Sequence, residues 1–336
     1  MKPAWKVLIT ARGAQAAGEQ AQQLLRDAGC EIIFPPKLGP LLGDELTAAL
    51  SGMDAVLASL DGYSDAVLSS SAASRLKIIA RWGVGYDSVD VSAATRNGIV
   101  VTYTPGLLND AVADYTFALL LALARRVHEV YVTMQRGEWR NAWGDDIAGK
   151  TLGIIGLGRI GKAVARRAAG FNMRVLAHTA HPDAANHSVE FVSLEKLLTE
   201  SDFVSLHAAL TPATRGMIGE NQLRQMKRTA YLINTGRGAL LDEAALVRAL
   251  KENWIAGAAL DVFTTEPLPA NSALRSAPNL LLSPHQSSYA RGTGERVSLS
   301  AAQAIVDLMN GKKPQHVLNP EVFSSAQLRT GVIKHG

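Results

Sequence analysis

Short, continuous runs of apolar and β-branched residues alternate with helical periodicity along most of the chain. In the first hundred residues the runs are WKVLIT (5–10), EIIF (31–34), AVLA (55–58), KIIA (77–80) and IVVT (99–102). Strands covered on both faces look like this, and they belong to parallel sheets with helices between the strands. An Ala/Gln-rich helix follows the first run to about Ala28. Residues 1–102 therefore read as a flavodoxin-like α/β unit. A long helix comes next, with Asn109 or Asp110 as N-cap and apolar positions on more than one face to about Val127. That pattern predicts burial between domains or subunits. The stretch from Gly137 to Gly149 holds three glycines, two tryptophans and an Asp pair, and reads as a loop or linker. A second α/β unit begins at TLGIIG (151–156) and continues with MRVLA (173–177), FVSL (203–206), AYLIN (230–234), IAGAAL (255–260) and NLLLS (279–283). A last helix, about 292–309, carries the chain back to the first unit. From Val322 on no firm pattern is visible, and mobility is expected there.

Composition narrows the classes. At 336 residues with 47% hydrophobic and 19% charged residues, two ordinary folded domains fit better than one large one, and disorder does not fit. The net charge of +4 comes without a Lys/Arg run or an aromatic-basic stripe, so neither composition nor pattern points to nucleic acid, while anionic small substrates are favoured. A single cysteine, Cys30, excludes an internal disulfide framework and a multi-cysteine metal site, and fits a reducing cytoplasm. No metal is expected. The N-terminal run reads as a strand, not a signal peptide, and the most apolar helical stretch, 115–124, is ten residues, against the ~20 that span a bilayer.

Gly156-x-Gly158-x-x-Gly161 is weak evidence alone, since 29 glycines can produce it by accident. Here a strand precedes it and a helix follows, which is the setting in which such glycines cradle a pyrophosphate at a helix N-terminus. The acid expected near the end of the next strand is replaced by Thr179, eighteen residues after Gly161. A threonine does not repel a 2′-phosphate, and His178 and His181 stand beside it. An NADP preference is thereby suggested, although a solvated loop explains both histidines equally well. Arg237 lies in a Gly-flanked turn after AYLIN, Asp261 ends IAGAAL with Glu266 five residues on, and His285 follows NLLLS. All fall at strand C-termini, where open α/β sheets bind ligands. A guanidinium fork grips a carboxylate. A histidine oriented by a carboxylate exchanges a proton with a carbonyl/alcohol pair. In isolation Arg237 would read as an exposed loop residue. His207 reads as structural or as bordering the cofactor, and His128, His187, His316 and His335 as surface residues.

Read together, RWGVGYDSVD (81–90), TPGLLNDAVADYTFALLLALAR (104–125), GKTLGIIGLGRIGKAVARR (149–167), VSLHAALTPATRGMIG (204–219), LINTGRGALLDEAAL (232–246), GAALDVFTTEPLP (257–269) and SPH (283–285) resemble the D-2-hydroxyacid dehydrogenase family, which includes phosphoglycerate dehydrogenase and glyoxylate/hydroxypyruvate reductase. The resemblance spans roughly 50–320, and the chain ends without a regulatory domain. It implies two doubly wound parallel-sheet domains: a discontinuous substrate domain, 1–103 plus 290–336, around a dinucleotide-binding Rossmann domain, 104–289. It implies a homodimer through the helix from about Asn109. It also implies NAD or NADP as cofactor, and a small 2-keto or 2-hydroxy acid as substrate.

By the same resemblance Arg237, Glu266 and His285 are catalytic: Arg237 holds the substrate, His285 moves the proton and Glu266 pairs with His285. Val84, Gly156, Gly158, Arg159, Ile160, Gly161, Thr179, Ala208, Thr235, Asp261, His285 and Ser288 line the cofactor, with Asp261 at the nicotinamide end. Leu60, backbone N–H groups at Val84 and Gly85, Arg237 and His285 meet the substrate.

The chain departs from the family pattern at Thr179 (usually Asp), Asp114 (Glu), Ser88 (Asn), Ala209 (Pro) and the Gln286–Ser288 segment. The loop ASLDGYSD (58–65) has no arginine for a substrate phosphate, and its Asp61 is expected to repel one. An unphosphorylated substrate is favoured. Oxidation of 3-phosphoglycerate or phosphite, or a non-catalytic corepressor-like role, remain alternatives; formate is disfavoured because formate enzymes carry glutamine where this chain has Glu266.

Overall fold

Every predicted strand forms, and every strand pairing is parallel. The computed structural model describes residues 4–37, 39–183 and 188–330. The chain divides into two units: one runs to Leu108 and resumes at Tyr289, and the other is Asn109–Ser288.

The first unit holds β1 (Lys6–Ile9), β2 (Glu31–Ile33), β3 (Ala55–Ala58), β4 (Ile78–Arg81) and β5 (Val100–Thr102), in the order β2-β1-β3-β4-β5. This is the flavodoxin-like order, and its switch point lies between β1 and β3. β3, β4 and β5 are buried along their whole length, which is why their sequences show no polar alternation. Leu8, Val56, Ile79 and Val101 pack with Leu46, Leu50 and Leu68 to form the core on one face. The Arg291–Met309 helix covers the sheet with the Glu19–Asp27 helix. Two expectations are corrected here. The single helix to Ala28 is two, Arg12–Ala16 and Glu19–Asp27. The tail is packed as far as residue 330: Val322 is fully buried, and the Arg329 guanidinium donates to the carbonyls of Ala73 and Leu76, the latter at 3.0 Å; residues 331–336 lie outside the described residues. One apolar anchor and one long side chain leave no periodicity to read.

The second unit holds β6 (Thr151–Ile155), β7 (Arg174–His178), β8 (Glu190–Phe191), β9 (Phe203–Leu206), β10 (Tyr231–Asn234), β11 (Gly257–Leu260) and β12 (Leu280–Leu282), in the order β12-β11-β10-β9-β6-β7-β8. Its switch point lies between β6 and β9. Phe117, Leu120 and Leu123 of the Asn109–Ala124 helix pack with Ile154, Val164 and Ile233 on one face. Leu197, Leu206, Leu232, Leu246 and Leu250 fill the other.

The long helix ends at Ala124, not Val127. Arg126 turns to φ 53, and a second helix, Val127–Gln135, begins. The apolar faces of the Asn109–Ala124 helix are met within its own unit, by the Arg159–Gly170 helix, β10 and β11. Exposed apolar side chains follow it on Val127, Tyr131, Val132 and Met134, and on Trp139 and Trp143 of the next loop. β8 escaped the sequence because two residues at a sheet edge carry no pattern. Among the described residues no helix is long and apolar enough to cross a membrane.

Candidate active site

The second unit gathers its reactive side chains at the C-terminal ends of β10, β11 and β12, three adjacent strands. His285 leaves β12 in a left-handed conformation, φ 49. Such a conformation costs about 1–3 kcal/mol and persists only where the surroundings fix it. Asp261, wholly buried, does the fixing. Its Oδ1 accepts from the Ser283 hydroxyl at 2.6 Å and the Gln286 N–H at 2.9 Å, its Oδ2 accepts from the Ser287 N–H at 2.8 Å, and its carbonyl accepts from the His285 N–H at 2.8 Å. Sequence reasoning placed Asp261 against the nicotinamide and missed this work. The turn's backbone donors are what reveal it, and a sequence does not print them.

Glu266 is oriented in the same manner. Its Oε1 accepts from the Phe263 N–H at 2.9 Å, which leaves Oε2 2.7 Å from His285 Nδ1. With Nδ1–H donating to the carboxylate, Nε2 is the ring nitrogen left to exchange a proton. Both side chains are half-buried, so the pair is partly withdrawn from water.

Arg237 stands in a turn shaped by buried Asn234, whose Nδ2 donates to the Arg237 carbonyl at 2.9 Å and whose Oδ1 accepts from the Gly236 N–H at 3.0 Å. The Arg237 guanidinium also donates to the Gly236 carbonyl at 2.8 Å. Gly238 explains how this turn reaches Glu266. A Cβ there would lie 1.9 Å from the Phe263 carbonyl carbon, so only glycine lets the Arg237 turn press against the Phe263–Thr264 backbone. The residues predicted from three distant loops therefore share one sheet edge.

The glycine-rich turn has the form its spacing predicts. Gly156 sits at φ 95, and a Cβ on it would lie 2.4 Å from the Ala208 nitrogen, across the switch point after β9. A Cβ on Gly161 would meet the Gly156 carbonyl oxygen at 2.2 Å, whereas one on Gly158 would point into open space. The Arg159–Gly170 helix has no side-chain N-cap, so its first N–H groups have no side-chain acceptor. A pyrophosphate fits this cradle by shape and by charge.

Exposed Arg159 and half-buried Ile160 begin that helix, and Thr235 is buried 3.0 Å from the Thr116 hydroxyl. Half-buried Thr179 follows β7, and half-buried Ser288 closes the unit. His178 is turned toward β8, with Nδ1 3.2 Å from the Val192 carbonyl, while His181 is exposed beyond Thr179. His207 borders the turn through its neighbour Ala208. Its Nε2 lies 2.8 Å from the Ser205 hydroxyl, its Nδ1 is buried without a partner, and burial pushes its pKa down to about 4. Of the histidines expected at the surface, His316 is exposed, His128 is half-buried against the Ala122 carbonyl, and His187 and His335 lie outside the described residues.

In the first unit, half-buried Leu60 follows β3, and Val84 and Gly85 follow β4. Asp61 corrects the sequence reading. It is fully buried and accepts from the Thr10 hydroxyl at 2.5 Å, the Leu41 N–H at 2.9 Å and the Ser59 N–H at 3.2 Å. A carboxylate so enclosed is committed to donors of the surrounding loops and does not present itself to repel a phosphate.

Comparison with known proteins agrees with this geometry. A family described as "D-isomer specific 2-hydroxyacid dehydrogenase, NAD binding domain" matches residues 117–287. The chain is 50% identical over 260 residues to a glyoxylate reductase of Korarchaeum cryptofilum, covering 75% of this chain and 78% of that one. It is 44% identical over 334 residues to a glyoxylate reductase of Thermococcus gammatolerans, covering 96% and 97%. The crystal structure of the TT0316 protein from Thermus thermophilus superposes with a TM-score of 0.84 at 41% identity, covering 93% of this chain and 99% of that one. The chain belongs to the D-isomer specific 2-hydroxyacid dehydrogenase family, and it is an NAD(P)-dependent oxidoreductase of small 2-keto or 2-hydroxy acids.

Proposed function

We propose that the protein reduces glyoxylate or a similarly small, unphosphorylated 2-keto acid, with Arg237, Glu266 and His285 as the catalytic set. The observation that carries this reading is the 2.7 Å His285–Glu266 contact on a turn locked by Asp261, at the sheet edge that also bears Arg237. The bound nicotinamide supplies the hydride. Arg237 holds the substrate carboxylate and polarises its carbonyl oxygen. His285, protonated and supported by the Glu266 carboxylate, gives its Nε2 proton to that oxygen as it becomes a hydroxyl. In the oxidative direction Nε2 takes the proton back. General acid help of this kind is worth roughly 10²–10⁴-fold in rate.

The unit Asn109–Ser288 is the dinucleotide-binding domain in this reading, with the pyrophosphate on the N–H groups of Gly158, Arg159 and Ile160 and the adenosine ribose near Thr179. Ala208, Thr235, Asp261 and Ser288 border the cofactor. The other unit is the substrate domain, where Leu60 and the N–H groups of Val84 and Gly85 receive the keto acid. Two copies pair through the apolar side chains that the Val127–Gln135 helix and the following tryptophans leave exposed. The single cysteine suits a reducing cytoplasm. Glyoxylate is favoured because relatives that match over nearly the whole chain are glyoxylate reductases.

A panel of glyoxylate, hydroxypyruvate, pyruvate, phenylpyruvate and 3-phosphohydroxypyruvate, run with NADH and NADPH, tests the proposal. The highest kcat/KM should fall on glyoxylate or hydroxypyruvate. A preference for the phosphorylated acid would overturn the substrate assignment. No turnover on any of them, with cofactor-dependent assembly, would favour the corepressor-like alternative.

A further inference from the structure

Among the buried charges of the first unit that the proposed mechanism leaves unused are Asp61 and Arg81, with fully buried Tyr63 between their loops. Arg81 ends β4 and is 3% exposed. Its Nε and one terminal nitrogen donate to a single acceptor, the Gly85 carbonyl, at 3.0 and 2.7 Å. The rest of that turn is pinned as well: the Gly83 N–H donates to the Thr104 hydroxyl at 2.9 Å, and the Trp82 N–H to the Ala58 carbonyl at 2.8 Å. Among the described residues no hydrogen bond uses the N–H of Val84 or of Gly85. The turn thus has its carbonyl side committed inward and its two donors uncommitted.

Asp61 does the corresponding work one strand over. It joins the loop after β3 to Thr10, which follows β1, so its contacts bridge the switch point of the sheet. Tyr63 couples the two loops. Its hydroxyl donates to Asp61 Oδ2 at 3.4 Å, its N–H donates to the Ser88 carbonyl and its carbonyl accepts from the Asp90 N–H, both at 2.9 Å. Burial raises the Tyr63 hydroxyl's pKa well above the usual tyrosine value; the Asp61 charge raises it further and the Arg81 charge opposes this, so both ionic groups act on the one ring. A surface turn needs none of this. Burying a guanidinium and a carboxylate is costly, and the arrangement makes sense where a turn must hold a fixed set of donors.

We propose that Asp61, Tyr63 and Arg81 are positioning residues that set the first unit's substrate loops, Arg81 presenting the Val84 and Gly85 N–H groups and Asp61 fixing the Ser59–Leu60 loop. This rests on the reading that those N–H groups receive the substrate carboxylate. The trio touches no reacting atom. It acts on KM for the keto acid and leaves cofactor affinity alone.

The test uses the full chain and the variants Arg81→Lys, Asp61→Asn and Tyr63→Phe, with KM and kcat for glyoxylate, NADH affinity by fluorescence titration, and thermal melting. Arg81→Lys keeps the charge and loses the two-pronged grip; KM should rise roughly tenfold, with NADH affinity within about twofold of wild type. Asp61→Asn turns one acceptor into a donor facing N–H groups and should raise KM by a similar factor. Tyr63→Phe is isosteric and should fold even where the charged variants do not; its KM should rise about threefold. An unchanged KM in a folded Tyr63→Phe and Arg81→Lys pair would overturn the proposal. Amide NMR of ¹⁵N-labelled wild type separates this from failure of the underlying reading. If glyoxylate added with oxidised cofactor shifts the Val84 and Gly85 amides, the reading stands, and the variants judge the trio. If neither amide responds, the reading and the proposal fall together.

Discussion

The two parallel sheets close their switch points by different means. In the second unit the gap between β6 and β9 is closed by absence: Gly156 lets the Ala208 backbone approach to a distance no Cβ would allow. In the first unit the gap between β1 and β3 is closed by presence, with the buried Asp61 carboxylate collecting donors from both sides. The first device uses backbone and leaves a glycine spacing that anyone can read. The second uses a side chain whose meaning depends on where it points. The same contrast explains why the form of the Gly156 turn was legible in the sequence and the burial of Asp61 was not.

Four measurements break or sharpen that contrast. Arg237→Gln removes the charged fork and should lower kcat/KM by about 10³-fold, measured with saturating NADH, because a charge-assisted bidentate grip is lost together with carbonyl polarisation. Retained efficiency would remove the second unit's edge from the chemistry. Glu266→Gln keeps the shape and deletes the charge beside His285. Reduction should slow roughly a hundredfold; an unchanged rate would dissolve the pairing. Gly156→Ala should weaken NADH binding by about tenfold or more and lower the melting temperature, since a Cβ at φ 95 against Ala208 costs about 2–4 kcal/mol. A tolerant variant would mean that the turn's close approach is dispensable.

The smallest effect concerns His207. Its folded pKa, pushed down to about 4 by burial, lies below the ordinary value of 6.5, so the unfolded chain binds the extra proton first. Stability is therefore fully present above about pH 6.5 and falls as pH drops toward 4. The loss is at most about 3 kcal/mol at one ionisable site. His207→Asn should flatten melting temperature against pH in that window and nowhere else.

Much of the fold could be read before any coordinates. Among the described residues, continuous apolar runs located eleven of twelve strands, because parallel strands covered on both faces carry few polar residues to confuse the pattern. The misses share a cause, which is that they depend on geometry around single residues. Arg126 in a left-handed conformation split one predicted helix into two. β8 is too short for periodicity. Arg329 fastens the tail with one guanidinium. The placement of Arg237, Glu266 and His285 after adjacent strands was legible because each has turn residues beside it. The roles of Asp261 and Asp61 were not. Both are carboxylates in loops, and only burial with backbone donors separates a group that anchors a turn from one that faces a ligand.

The central claim is that His285, held by Glu266 and Asp261, is the proton donor when hydride reaches the keto acid. Single-turnover reduction of glyoxylate by enzyme saturated with NADH or NADPH, whichever binds more tightly, compares wild type with His285→Ala most directly. The account predicts a rate lower by about 10²–10⁴-fold in the variant, with cofactor affinity preserved. Equal single-turnover rates in the two proteins would contradict it.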